Sequence, residues 1–407
     1  MPVITLFSGR YCNEKAVVEE IGSRTGYRLV TDQEIVAEAG QLANIPTNRI
    51  ERAFADKTSV FNRLTRERER SLAFLRATLA KRLTEEELMI SGFAAQLIPR
   101  DISHVLRVCL IADMDARVAA AAAALKVTPD EALKVIHRED EKCAAWVHAL
   151  HGVNDPWNAA LYDICLPTDK TSPEAIADLI ATTISTTVIK LVDGSRQAVD
   201  DFNTAANVEI ALVKKGHTVG VDVKAGIVTL TINKHVLRLN RLEEELKAIA
   251  IQVEGVQAVE TKVGPGYYQT DVYRRQNFEA PSKILLVDDE KKYVQTLSKR
   301  LMMRELDSAV VYDGTSALEL ARDDEPDVMI LDLRMPDIDG IEVLRRVKQT
   351  RPAIEVIVLT GQGSEEDRKT CMELGAFAFL SKEVGIDELS RTIKAAHAKI
   401  QNSRKDR

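Results

Sequence analysis

Val328-Met329-Ile330-Leu331 runs straight into Asp332, and the pattern recurs three more times in the last third of the chain. Ile284-Leu285-Leu286-Val287 meets Asp288-Asp289, Val356-Ile357-Val358-Leu359 meets Thr360, and Phe377-Ala378-Phe379-Leu380 meets Ser381-Lys382. Short aliphatic and β-branched runs separated by helix-like stretches read as buried strands of a parallel α/β sheet. Ligands in such sheets bind beyond the carboxyl ends of the strands. The spacing therefore predicts three carboxylates, a hydroxyl and an ammonium gathered at one edge. One acid after one strand is an ordinary polar strand end; four chemistry-bearing strand ends in succession are a site.

At 407 residues the chain is too long for one ordinary core, so two or three domains are expected. With 45% hydrophobic and 29% charged residues, it is neither disordered nor membrane-spanning in composition. A formal net charge of -7 argues against a nucleic-acid partner, whose phosphates need a basic surface. No apolar run reaches bilayer length, and Met1-Pro2-Val3-Ile4 opens directly into a strand without a signal peptide, so a cytoplasmic location is expected. The five cysteines are scattered, odd in number and never spaced C-x-x-C, and read as buried thiols in a reducing compartment.

Strand and helix signals alternate over residues 1–192. Thr31-Asp32-Gln33-Glu34 has capping-box spacing, Val105 to Ile111 alternates as a strand, and Thr128-Pro129-Asp130-Glu131 and Ser172-Pro173-Glu174 each start a helix with proline at its first position. Residues 196–266 form a smaller α+β segment: Val219, Val221 and Val223 alternate, Lys224-Ala225-Gly226 turns, and Ile227 to Ile232 returns, which is a hairpin. A helical stripe and a last strand, Val256 to Val263, follow. Residues 267–282 read as a linker, and 283–402 as the unit that carries the four strand ends. The fold class expected is multidomain α/β.

That last unit resembles the receiver domain of two-component response regulators over its full length. Asp288 and Asp289 match the acidic pair, Asp332 the phospho-accepting aspartate, Thr360 the switch hydroxyl, Phe379 the switch aromatic and Lys382 the buried lysine. The stretch Leu331-Asp332-Leu333-Arg334-Met335-Pro336-Asp337-Ile338-Asp339-Gly340 is close to the family's phosphorylation loop. The resemblance implies a doubly wound, flavodoxin-like sheet. It also implies Mg²⁺ held by Asp289, Asp332 and the backbone carbonyl of Arg334, with Asp288 acting through water, and a sensor histidine kinase as phosphoryl donor. Physical chemistry agrees: phosphoryl transfer is mainly positioning and charge neutralisation, and Mg²⁺ takes hard oxygen ligands. Two departures stand out: Glu383 follows Lys382 where the family usually has proline, and Gly361 follows the switch hydroxyl in place of alanine.

Residues from Val3 to about Ile180 resemble the cytidylate-kinase-like family of P-loop proteins, carried by Ile4-Thr5-Leu6, Gly26-Tyr27, Leu106 to Ile111 with Asp115-Ala116-Arg117, Val135 to Asp140, and Tyr162 to Leu166. The chemistry reads as eroded. A phosphate cradle needs converging backbone N–H groups and a cation. Here one glycine, Gly9, is followed by Tyr11-Cys12-Asn13-Glu14, with Glu14 placing negative charge beside a polyphosphate. Gly9 and Lys15 are the nucleotide-binding candidates, with a helix-face lysine as the alternative reading of Lys15. The lid keeps Arg117 and then runs into Ala119 to Ala124. His148 and His151 sit i, i+3 beside Cys143, without a partner set that completes a metal site; exposed helix histidines are preferred. Trp146 and Trp157 read as packing residues, and Arg63, Arg66, Arg68 and Arg70 as a solvated, salt-bridged face.

The middle segment is similar to the BON domain, which implies a small docking or lever module; a plain spacer is equally consistent with its sequence. Taken together, the expected function is a response regulator that accepts phosphate on Asp332 and signals by protein contact to an unidentified downstream protein. A homodimer is left open. The rival is a nucleoside monophosphate kinase gated by the receiver.

Overall fold

Every strand of the N-terminal sheet is a short run whose alternate side chains face opposite helical layers. The computed structural model describes the chain apart from residues 1, 55–66, 86, 187–188, 190–191, 234–235, 237–238, 269–282, 305, 307, 362 and 406–407. The expected linker therefore lies almost wholly outside the described residues, as do Arg63 and Arg66. Contacts divide the chain into two compact units: Met1–Thr58 with Arg68–Val213 and Thr218–Tyr273, and Ser59–Glu67 with Lys214–His217 and Arg274–Arg407.

The first unit holds two sheets. β1 (Val3–Ser8), β2 (Arg28–Thr31), β3 (Leu88–Ser91), β4 (Val105–Ile111) and β5 (Ile164–Pro167) pair in parallel in the order β2-β3-β1-β4-β5. The helices between them are α1 (Glu14–Thr25), α2 (Asp32–Ala43), α3 (Thr47–Glu51), α4 (Glu67–Arg82), α5 (Met114–Leu125), α6 (Pro129–His151) and α7 (Pro173–Ser185). One face of the sheet buries Val3, Val30, Leu88, Ile90 and Val105 under α2 and α4; the other buries Ile4, Leu6, Met89, Leu106 and Val108 under α1 and α7. The capping box expected at Thr31 forms, the expected cap Thr128 also closes a box with Glu131, and Ser172 caps α7 by accepting the Ala175 N–H. α7 ends at Ser185.

α8 (Asp193–Lys214) serves two cores. Its stripe Val199, Phe202, Ala206 and Ile210 packs into the core of the first sheet, while Val208 and Leu212 pack against the second. That second sheet, β6 (Gly220–Lys224), β7 (Ile227–Ile232) and β8 (Ala258–Val263), pairs β6 antiparallel and β8 parallel to β7, with α9 (Leu239–Ala250) crossing over. The hairpin turn needs two left-handed residues, and Ala225 (φ 48°) and Gly226 (φ 78°) supply them.

The second unit is the sheet of the four apolar runs. β9 (Ile284–Val287), β10 (Ser308–Val311), β11 (Val328–Leu331), β12 (Glu355–Thr360) and β13 (Ala378–Ser381) lie parallel in the order β10-β9-β11-β12-β13. This is the doubly wound, flavodoxin-like order. α10 (Lys291–Met302) and α14 (Ile386–Lys405) cover one face; α11 (Gly314–Asp323), α12 (Gly340–Thr350) and α13 (Glu365–Glu373) cover the other. Consecutive strand residues alternate between the layers: Leu285, Met329 and Val356 pack on one side, Ile284, Ile330 and Ile357 on the other. Burial on both faces is why these strands read as unbroken apolar runs rather than alternating ones.

Candidate functional site

The strand order reverses between β9 and β11, and the residues just past those two strands converge there. Asp288 and Asp332 are 5% and 4% exposed, and Thr360 at the end of β12 is 3% exposed. Lys382, just after β13, sends its ammonium across the pocket. Its Nζ lies 2.8 Å from Asp288 Oδ2, 2.9 Å from Asp332 Oδ2 and 2.8 Å from Glu290 Oε1, and 4.8 Å from the centre of the Tyr293 ring. Asp288, Asp289 and Asp332 each offer a carboxylate oxygen, and these atoms lie within 4.8 Å of one another. The structure thus brings together Asp288, Asp289, Asp332 and Lys382, with Thr360 and half-buried Phe379 on the adjoining strands.

The supporting bonds are local. The Asp332 N–H donates to the Val287 carbonyl at 2.9 Å, and its Oδ1 accepts the Leu333 N–H at 2.7 Å, so one carboxylate oxygen is fixed by backbone and the other meets Lys382. Asp288 Oδ1 accepts the Glu290 N–H at 2.8 Å. The Lys382 N–H donates to the Thr360 carbonyl at 3.0 Å, joining β13 to the switch hydroxyl's own residue. Burial pushes the Asp288 carboxyl above its ordinary range, although Lys382 pulls it down. Burial alone would lower the Lys382 ammonium; three carboxylates around it hold it above its usual value instead.

Two glycines let the loops approach. A Cβ on Gly340 would lie 2.2 Å from the Asp332 carbonyl oxygen, so α12 starts directly on the loop that carries the aspartate. A Cβ on Gly363 would lie 2.5 Å from Phe379 Cζ and 2.8 Å from Thr360 Cγ2, between the two switch residues. Arg334, two residues past Asp332, is exposed, and its guanidinium meets Asp367 Oδ2 at 3.3 Å. Asp337 reaches back to the start of α11 and accepts the N–H groups of Gly314 and Thr315 at 3.1 and 3.0 Å. Burial works against its charge, yet those N–H groups bring its carboxyl down to about 2. Glu383 uses its N–H on Ser381 Oγ at 3.2 Å, a bond that proline could not donate.

Glu290 and Asp337 were not among the expected site residues. Glu290 directly follows the acidic pair, which is the signal that could have found it. For Asp337 the partner lies more than twenty residues upstream, and no local spacing marks it.

The N-terminal candidates sit differently. Gly9 follows β1, and its N–H donates to the Leu110 carbonyl at 3.2 Å, extending the ladder with β4. Lys15 is 91% exposed at its side chain, 3.8 Å from Glu19 on the next turn, so it is a helix-face lysine here. The Glu14 carboxylate accepts the hydroxyls of Ser8 and Ser91 at the strand ends. Arg117 is 5% exposed; it donates to the Arg10 carbonyl at 2.9 Å and forks onto Asp140 at 2.9 and 2.7 Å, tying α5 to α6. The carboxylate and the guanidinium at this strand edge are thus already engaged with the chain's own groups. Beside them Asp32 accepts the Phe93 and Ala94 N–H groups, both at 2.8 Å; burial raises its carboxyl to about 6 despite those bonds.

Cys143 is buried in a small core with Phe7 and Val147, His148 is exposed, and Trp146 is buried, donating its indole N–H to the Phe93 carbonyl at 2.9 Å. Arg68 departs from the expected solvated face: its guanidinium lies over the Trp146 ring at 5.9 Å and donates to the Ala53 carbonyl at 3.2 Å.

Comparison with known proteins places the two halves. A model described as response regulator receiver domain matches residues 284–394. Residues 284–394 are a receiver domain. A model described as cytidylate kinase-like family matches residues 3–170. Among curated relatives, Response regulator MprA of Mycolicibacterium vanbaalenii is 33% identical over 115 residues, which is 28% of this chain and 50% of that protein. The MprA of Mycobacterium leprae is 34% identical over 113 residues, again 28% of this chain and 50% of the relative. The chain spans about half the length of the curated relatives it matches. Among solved structures, a receiver domain protein from Clostridium thermocellum is 31% identical, with 29% of this chain and 96% of that one covered at a TM-score of 0.28. The receiver domain of a putative Luxo repressor protein from Vibrio parahaemolyticus is 26% identical, covering 30% and 95%, at a TM-score of 0.29. Among the described residues no helix is long and apolar enough to cross a membrane.

Proposed function

We propose that the chain is the response regulator of a two-component phosphorelay, in which Asp332 takes a phosphoryl group from the phosphohistidine of a sensor kinase. The observation that carries this reading is the Lys382 ammonium set between the buried carboxylates of Asp288 and Asp332. Asp332 Oδ2, the oxygen that meets Lys382, forms the new O–P bond as the donor's P–N bond breaks and imidazole leaves with the bonding pair. Lys382, released from Asp332, meets a phosphoryl oxygen, and Thr360 turns to hydrogen-bond another. The hard-oxygen set of Asp288, Asp289 and Asp332 suits Mg²⁺, with Asp289, Asp332 and the Arg334 carbonyl as ligands and Asp288 reaching it through water; bound there, the ion would neutralise charge on the transferred group.

The output is read as protein contact through the first unit, with the BON-like segment as docking module and an unidentified downstream protein as partner. Glu14, set where a phosphate would need positive charge, and Arg117, already paired, support a kinase-like domain that has lost its chemistry. The test is radiolabel from a small phosphodonor, with and without Mg²⁺, on wild type and Asp332→Asn. Label on wild type with Mg²⁺ and none on the variant is expected; equal labelling of the two refutes the assignment.

A second reading, a receiver-gated cytidylate-like kinase, is favoured by the family match over residues 3–170. Phosphoryl transfer from ATP to CMP by the wild type, absent from Gly9→Val, would favour it over the first reading of that domain.

A further inference from the structure

The cysteines that look scattered along the chain include one adjacent pair in space. Cys109 on β4 and Cys165 on β5 are register partners on neighbouring parallel strands, so their side chains leave the sheet on the same face. Strands lie ~4.8 Å apart, inside the ~4.4–6.8 Å Cα window in which a disulfide closes. Their surroundings differ. Cys109 is fully buried against Phe7, Cys143 and Tyr162, while Cys165 is half-buried, because β5 is the last strand of the sheet among the described residues.

We propose that Cys165 and Cys109 form a reversible oxidation site, with Cys165 as the sulfur oxidised first and Cys109 as the resolving thiol. With a peroxide as oxidant, the Cys165 sulfur attacks one oxygen, the O–O bond breaks, and water leaves as the sulfenic acid forms. The Cys109 sulfur then attacks the Cys165 sulfur, the S–O bond breaks, and the Cys109 proton leaves with hydroxide as a second water. Two thiols lose two electrons in all, and one peroxide is reduced to two waters. The bond encloses α5 and α6, whose mutual clamp is Arg117 on Asp140. Burial holds both thiols above the ordinary thiol range, so the reaction is slow beside that of a dedicated peroxidatic cysteine.

Full-length protein is treated with hydrogen peroxide, denatured, alkylated, digested and mapped by mass spectrometry. The expected product is a cross-linked peptide pair containing Cys109 and Cys165, two hydrogens lighter than the free peptides and released by dithiothreitol, with Cys12, Cys143 and Cys371 still alkylated. In Cys109→Ser, dimedone should trap a sulfenic acid on Cys165; in Cys165→Ser, Cys109 should stay reduced. Cys165 driven to sulfinic acid beside a free Cys109, a bridge between any other pair, or both thiols alkylated under peroxide that oxidises the denatured chain would each overturn the proposal. The wild-type map decides the matter even where a serine variant does not fold.

Discussion

Replacing Lys382 with methionine removes the cation that touches both buried carboxylates while keeping most of the side-chain volume. The oxygens of the acidic cluster lie within 4.8 Å of one another. At an effective dielectric of about 20, two unit charges at that separation repel by about 3.5 kcal/mol. Removing one partner from a buried ion pair costs about 3–5 kcal/mol by mutational experience, and proton uptake by Asp288 limits the loss. A destabilisation of about 3 kcal/mol is therefore expected at neutral pH. In a domain of this size that lowers the receiver's melting transition by about 10 °C. Calorimetry in EDTA reads it directly. The pH dependence adds a signature. Asp288 has a folded pKa raised above its unfolded value. Such a group contributes stability that is full below the unfolded pKa and lost as pH rises through the folded one. Without Lys382 the shift grows, so the deficit should shrink between about pH 7 and about pH 5. Mg²⁺ should raise the variant's transition more than the wild type's, because it replaces the missing positive charge. An unchanged transition in EDTA, or a deficit that widens on acidification, would refute the electrostatic account.

Three further outcomes are expected. Asp337→Ala strips the start of α11 of the acceptor for Gly314 and Thr315, costing about 1–2 kcal/mol in urea unfolding at neutral pH. Since the Asp337 carboxyl titrates at about 2 in the fold, its contribution is present above the unfolded value and lost as pH falls towards that point, so variant and wild type should converge in acid. Gly340→Ala drives a Cβ to 2.2 Å from the Asp332 carbonyl oxygen, a backbone atom that cannot swing away; about 3 kcal/mol of stability and most phosphodonor labelling should be lost. Asp140→Ala leaves the 5% exposed Arg117 guanidinium without its counter-charge and should destabilise the first unit by about 3 kcal/mol, lowering its calorimetric transition while leaving the receiver's in place.

The receiver's sheet was legible because burial on both faces writes a strand as an unbroken apolar run, and because each run stops at a polar residue. β10 escaped notice: Ser308–Val311 is an edge strand of four half-buried residues with no such run. The hairpin of β6 and β7 was readable from its turn, since Ala225-Gly226 places a glycine where the backbone must go left-handed. What a linear reading misses is mostly pairing across the fold. Glu290 on Lys382, Asp337 on α11, Arg117 on Asp140 and Cys109 beside Cys165 all depend on register or on packing between distant elements. Arg68 was misread for a related reason. Charge alternation along a helix suggests a wet face, but an arginine stem and its flat head can cover an indole as well as face water.

α8 has a practical consequence for anyone who would cut this chain into parts. Severing it near residue 192 would strip Phe202 and Ile210 from the larger sheet's interior, and severing it after residue 214 would leave β6 to β8 without Val208 and Leu212. Either fragment would expose a greasy seam and invite aggregation. A tug on the small sheet reaches the larger one through a single helix whose side chains pack into both.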